Sequence, residues 1–126
     1  MIVPTLLFVD DEPNVLSVLR RVFRTRGYSI LTARDGKEAL EVLEGQIPDV
    51  VVTDMRMPIM GGYELLQAIR VKFPTLPCIV LTGYCELATG REVVEQGLAK
   101  SIVSKPWRNE DLADEVAKVL EASSGT

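Results

Sequence analysis

Apolar and β-branched residues gather in five short runs: TLLFV (5–9), SILTA (29–33), DVVVT (49–53), CIVLT (78–82) and SIVS (101–104). Runs of this length and composition predict buried strands. The segments between them carry helical spacing instead. In the first, Val15, Leu16, Leu19, Val22 and Phe23 form one apolar face, Arg20, Arg21, Arg24 and Arg26 lie off it, and Gly27 ends the helix. A second helix is predicted over 36–44 with Ala39, Leu40 and Leu43 inward, and a third over 63–73 with Leu65, Leu66, Ile69 and Phe73. The last starts near Asn109, which is placed to cap it, and buries Leu112, Val116, Val119 and Leu120. Between Glu86 and Leu98 the pattern weakens. Gly90 interrupts it and Val93 and Val94 make a narrow apolar face, so this helix is expected to be the least stable.

Strands alternating with helices imply a parallel sheet with right-handed crossovers and helices on both faces. In such an α/β sheet, ligands bind beyond the carboxyl ends of the strands. Five polar groups fall there: Asp10 and Asp11 after the first strand, Asp54 after the third, Thr82 on the fourth and Lys105 after the fifth. Gathering several acids at one buried rim is costly unless a cation compensates.

The 126 residues, 47% hydrophobic and 25% charged, suit one globular domain, with the boundary drawn at 1–122 and residues 123–126 read as a flexible tail or the start of a linker. The net charge is -4 and the basic residues form no stripe, which argues against direct nucleic-acid contact. The N-terminal MIVPTLLFVDDE lacks a basic leader and its apolar run is cut by acids, so it reads as a strand; neither a secretory signal nor a membrane span is expected, and a cytoplasmic location is. Cys78 and Cys85 suit neither a zinc site nor a disulfide framework, and the chain has no histidine.

Three carboxylates at one rim are hard oxygen ligands of the kind that hold Mg²⁺ together with a backbone carbonyl and waters. A metal, a lysine and a hydroxyl form the set that stabilises a phosphoryl group in transfer, and a carboxylate is itself able to serve as the nucleophile. Asp54 is the candidate.

FVDDEPNV, VVVTDMRMPIMGGYELL, CIVLTGY and SIVSKPW, in this order and over nearly the whole chain, resemble the receiver domain of two-component response regulators. The resemblance implies a doubly wound, flavodoxin-like sheet with strand order 2-1-3-4-5. It implies a phosphoacceptor at Asp54, Mg²⁺ ligands at Asp10, Asp11, Asp54 and the backbone carbonyl of Arg56, a phosphoryl-binding hydroxyl at Thr82 and its companion lysine at Lys105. Asp11 would be the more direct acidic ligand, and the bond before Pro106 would be cis. The expected role is a phosphorylation-controlled switch, a regulatory domain that assists its own phosphorylation and dephosphorylation. The expected partners are a sensor histidine kinase or phosphotransfer protein and, through the face of the fourth helix, fifth strand and fifth helix, a downstream protein or output domain.

The chain departs from the family pattern at Ile102, where many receivers carry an aromatic ring that swings inward on activation, and Arg56 stands at a position that in the family tunes acyl-phosphate lifetime. The alternative is a pseudo-receiver, an interaction module that takes no phosphate. Ile102 is its only support, and the intact acid set argues against it. A flavin-binding protein of the same topology would need Ser, Thr and Gly donors where DDEPN stands. A phosphohydrolase of the haloacid dehalogenase type would need two acids spaced D-x-D, which the first strand does not supply.

Overall fold

A computed structural model describes residues 3–83 and 87–124, and Tyr84, Cys85 and Glu86 lie outside these. The strands are β1 (Thr5–Val9), β2 (Ser29–Ala33), β3 (Val50–Asp54), β4 (Cys78–Thr82) and β5 (Ser101–Ser104). They alternate with α1 (Pro13–Thr25), α2 (Gly36–Gly45), α3 (Gly62–Lys72), α4 (Leu87–Glu95) and α5 (Asn109–Ser124). All pairings are parallel and the order is β2-β1-β3-β4-β5, as expected.

The two-residue period of a strand sends alternate side chains to opposite faces, and each face is closed by helices. Leu7, Val9, Val51 and Val80 pack with Ala39, Leu43, Leu65, Leu66, Ile69 and Val93 from α2, α3 and α4. Leu6, Phe8, Val50, Val52, Ile79 and Leu81 pack with Leu16, Leu19, Phe23, Leu112 and Val116 from α1 and α5. Trp107 packs against this second layer, and the rings of Phe8 and Phe23 meet at 5.0 Å between centroids, tilted by 57°. Burying each large apolar side chain contributes roughly 1.5–3 kcal/mol. The sheet is therefore the rigid frame on which the carboxyl-end loops are mounted.

Several boundaries differ from the sequence expectation. β3 is displaced by one residue: Asp49 is spent before the strand, its carboxylate accepting the Thr5 N–H at 2.8 Å, while Asp54 stays in the ladder opposite Leu81. The third helix starts at Gly62, and Phe73 is its C-cap instead of its last turn. Asn109 is the first residue of α5, and the Leu112 N–H donates to Arg108 C=O, so Arg108 holds the place predicted for Asn109. α5 continues through Ser124, because Ala122, Ser123 and Ser124 include no helix breaker. α1 begins with Pro13 at its first position and ends before Gly27, which adopts a φ of 92°. Among the described residues no helix is long and apolar enough to cross a membrane.

Candidate functional site

The register of the sheet fixes which side chains meet at its carboxyl edge. Val9 lies beside Thr53 and Asp54 beside Leu81, so the residues that leave β1 and end β3 emerge next to one another. Asp10 is 1% exposed and Asp54 7%, whereas Asp11 is exposed. One carboxylate oxygen from each of the three lies within 4.8 Å of the others.

Each buried acid is oriented by backbone. Asp10 Oδ1 accepts the Glu12 N–H at 2.9 Å, and Glu12, the N-cap of α1, provides no side-chain cap of its own. Asp54 Oδ1 accepts the Met55 N–H at 2.9 Å. Lys105 Nζ, from the loop after β5, stands 3.2 Å from Asp54 Oδ1 and 4.0 Å from Asp10 Oδ2. The Lys105–Pro106 bond is cis. Burial pushes the Asp10 carboxyl up to about 6, with the neighbouring Asp54 charge adding to the rise and the Glu12 N–H and Lys105 opposing it. Burial also raises Asp54, against the pull of Lys105.

Thr82 is fully buried at the end of β4, and among the described residues its hydroxyl has no hydrogen-bond partner. Arg56 follows Met55 in the loop between β3 and α3, with its side chain exposed. The structure thus brings Asp10, Asp11, Asp54 and Lys105 together, sets Thr82 at the end of the next strand, and places Arg56 two residues beyond Asp54.

The donor set fits a hard divalent cation. Asp10 Oδ2 is buried and accepts no hydrogen bond among the described residues, leaving an anionic oxygen free for a ligand, and two further carboxylates lie within reach.

Two supporting residues had no signal in hydrophobic pattern. Gly62 lies directly over the phosphoacceptor candidate: a Cβ there would collide with the Asp54 carbonyl oxygen and would stand 2.9 Å from Met55 Cα. Its N–H donates to Met55 C=O at 2.9 Å, pinning the start of α3 to the end of β3. Thr53 donates its hydroxyl to the Asp54 carbonyl at 2.9 Å. The adjacent pair Gly61–Gly62 is the trace of this close approach in the sequence: Gly61 suits the N-cap of α3, and Gly62, the first helical residue, omits a side chain for which there is no room.

Residues 6–117 match the family described as the response regulator receiver domain. The chain is 34% identical over 119 residues to sporulation initiation phosphotransferase F of Bacillus subtilis, covering 94% of this chain and 95% of that protein. It is 36% identical over 116 residues to the DNA-binding transcriptional regulator NtrC of Escherichia coli, covering 92% of this chain. It is 34% identical to the transcriptional regulatory protein GlrR of Escherichia coli, covering 94% of this chain. It spans only 24% and 27% of the lengths of these two regulators. A receiver-domain protein from Clostridium thermocellum superimposes with a TM-score of 0.91 at 27% identity, over 97% of this chain and 98% of that one.

Proposed function

Because the chain belongs to the family of response regulator receiver domains, we propose that it is a phosphorylation-controlled switch in which Asp54 accepts a phosphoryl group from a phosphohistidine on a sensor kinase or phosphotransfer protein. The observation that carries this reading is the Asp54 carboxylate, buried at the end of β3 with Lys105 at 3.2 Å and the oxygens of Asp10 and Asp11 beside it. An isolated buried acid would take a proton; this one is held among groups that suit phosphoryl transfer.

The step is a displacement at phosphorus. A carboxylate oxygen of Asp54 forms the new P–O bond as the donor's P–N bond breaks, and the electron pair of that bond returns to the imidazole. The Met55 N–H fixes the rotation of the carboxylate through Oδ1. Lys105 offers a cation to the arriving phosphoryl oxygens, and the unpartnered Thr82 hydroxyl offers a donor. Asp10, Asp11, Asp54 and the Arg56 carbonyl would hold Mg²⁺, which supplies charge neutralisation to the phosphoryl oxygens when bound. The same groups assist hydrolysis of the acyl phosphate, which resets the switch. The signal then passes to a downstream protein or output domain through the face of α4, β5 and α5.

Incubation with Mg²⁺ and acetyl phosphate, followed by intact mass measurement, tests this reading. One added phosphoryl group is expected, lost on omission of Mg²⁺ and in Asp54→Asn. Equal labelling of Asp54→Asn would overturn the assignment.

A further inference from the structure

Gly90 lies in the interior of α4, where glycine is less favourable than alanine because it loses more backbone freedom on folding. The fold gives a reason for the missing side chain. A Cβ built on Gly90 would stand 2.6 Å from Thr82 Cγ2, and 3.6 and 3.7 Å from the Cδ1 and Cγ2 methyls of Ile102. Alanine at this position would therefore overlap the Thr82 methyl, while its contacts with Ile102 would be ordinary. The backbone of Gly90, with Ile102 beside it, forms a socket into which the Thr82 methyl fits.

A threonine side chain is rigid at χ1, so seating the methyl also decides where the hydroxyl stands. Thr82 is fully buried and its hydroxyl makes no hydrogen bond among the described residues, so no polar contact with any of these holds the rotamer. Packing against α4 does so instead. We propose that Gly90 is a positioning residue: by accepting the Thr82 methyl it fixes the Thr82 hydroxyl, and it makes any rotation or advance of that hydroxyl move against α4. The functional half of this inference rests on the reading of Thr82 as the phosphoryl-binding hydroxyl. The packing half stands without it. No aromatic ring is needed at residue 102 for such a coupling, since the contact between helix and threonine is direct.

Four proteins test it: wild type, Gly90→Ala, Thr82→Ser, and the double variant. Serine keeps the hydroxyl and removes the methyl. In the wild-type background Gly90→Ala should lower the melting temperature by about 4 °C or more, against its helix propensity, and should shift the Thr82 methyl resonance. In the Thr82→Ser background the same substitution should raise the melting temperature, because the obstruction is gone. With acetyl phosphate, Gly90→Ala should slow labelling about ten-fold at unchanged Mg²⁺ affinity, less than outright loss of a donor costs. The double variant should return to the rate of Thr82→Ser alone.

An increase in melting temperature on Gly90→Ala in both backgrounds, or an unmoved Thr82 methyl, would overturn the socket. The expected thermal cycle in proteins that take no label, wild type included, would uphold the socket and overturn the phosphoacceptor reading instead.

Discussion

Replacing Asp10 by asparagine should stabilise the metal-free protein at neutral pH, although it removes a group we assign to the metal site. The carboxylate is 1% exposed, one of its oxygens accepts a single N–H, and its cation, Lys105, lies 4.0 Å away and closer to Asp54. Its pKa is accordingly raised from 3.8 to about 6, which corresponds to about 3 kcal/mol of destabilisation once both the folded and unfolded forms are ionised. The native state holds this proton more tightly than the unfolded chain. Between about pH 4 and pH 6 it therefore carries more protons, and stability falls as pH rises through that window. Asparagine keeps the oxygen that accepts the Glu12 N–H and places its amide beside the Asp54 carboxylate. Urea unfolding in chelator at pH 7.5 should show a gain of about 2–3 kcal/mol for Asp10→Asn, shrinking toward zero near pH 4. Mg²⁺ at about a thousand times its Kd should reverse the ranking, since it adds about 4.1 kcal/mol to the protein that binds it. A gain that does not change with pH, or a loss at pH 7.5 without metal, would refute the electrostatic account of the rim.

Lys105→Met removes the cation 3.2 Å from Asp54 and should cost about 2 kcal/mol at pH 7.5 in chelator, since it strands a buried charge; denaturant melts should show the loss easing as pH falls and Asp54 takes a proton. Gly62→Ala should cost about 2–3 kcal/mol in the same assay, because its Cβ meets the backbone of Asp54 and Met55, which have no rotamer with which to yield. Ile59 holds a φ of 68° while 81% exposed, so Ile59→Asn should stabilise by about 1 kcal/mol in thermal or chemical melts by relieving left-handed strain at a β-branched residue.

Much of this architecture was legible because strand runs and helical stripes are local signals. The runs at 5–9, 29–33, 78–82 and 101–104 coincide with strands to the residue, and parallel pairing follows from their alternation with helices, while the strand order was legible only through the family resemblance. The run at 49–53 was displaced by one because composition does not distinguish Asp49, whose carboxylate caps a neighbouring strand, from Asp54, whose backbone completes the ladder. The acids, Thr82 and Lys105 were legible as a rim because strand ends in a parallel sheet converge. What hydrophobic pattern could not show are contacts between residues far apart in the chain: Gly62 against the Asp54 carbonyl, and Gly90 against the Thr82 methyl. In the helical pattern Gly90 is a defect; in the fold it is a fit. Ile59 runs the other way, since nothing in MPIMGG announces a positive φ at a β-branched residue.

In the proposed switch Asp54, and no other acid of the rim, carries the phosphoryl group. Borohydride reduces an acyl phosphate to the alcohol, so treating acetyl phosphate-labelled protein with borohydride and mapping peptides by mass reads the position directly. Homoserine is expected at residue 54 and unmodified aspartate at residues 10 and 11. Reduction at Asp10 or Asp11, or no reduced residue in protein that had gained the phosphoryl mass, would contradict it.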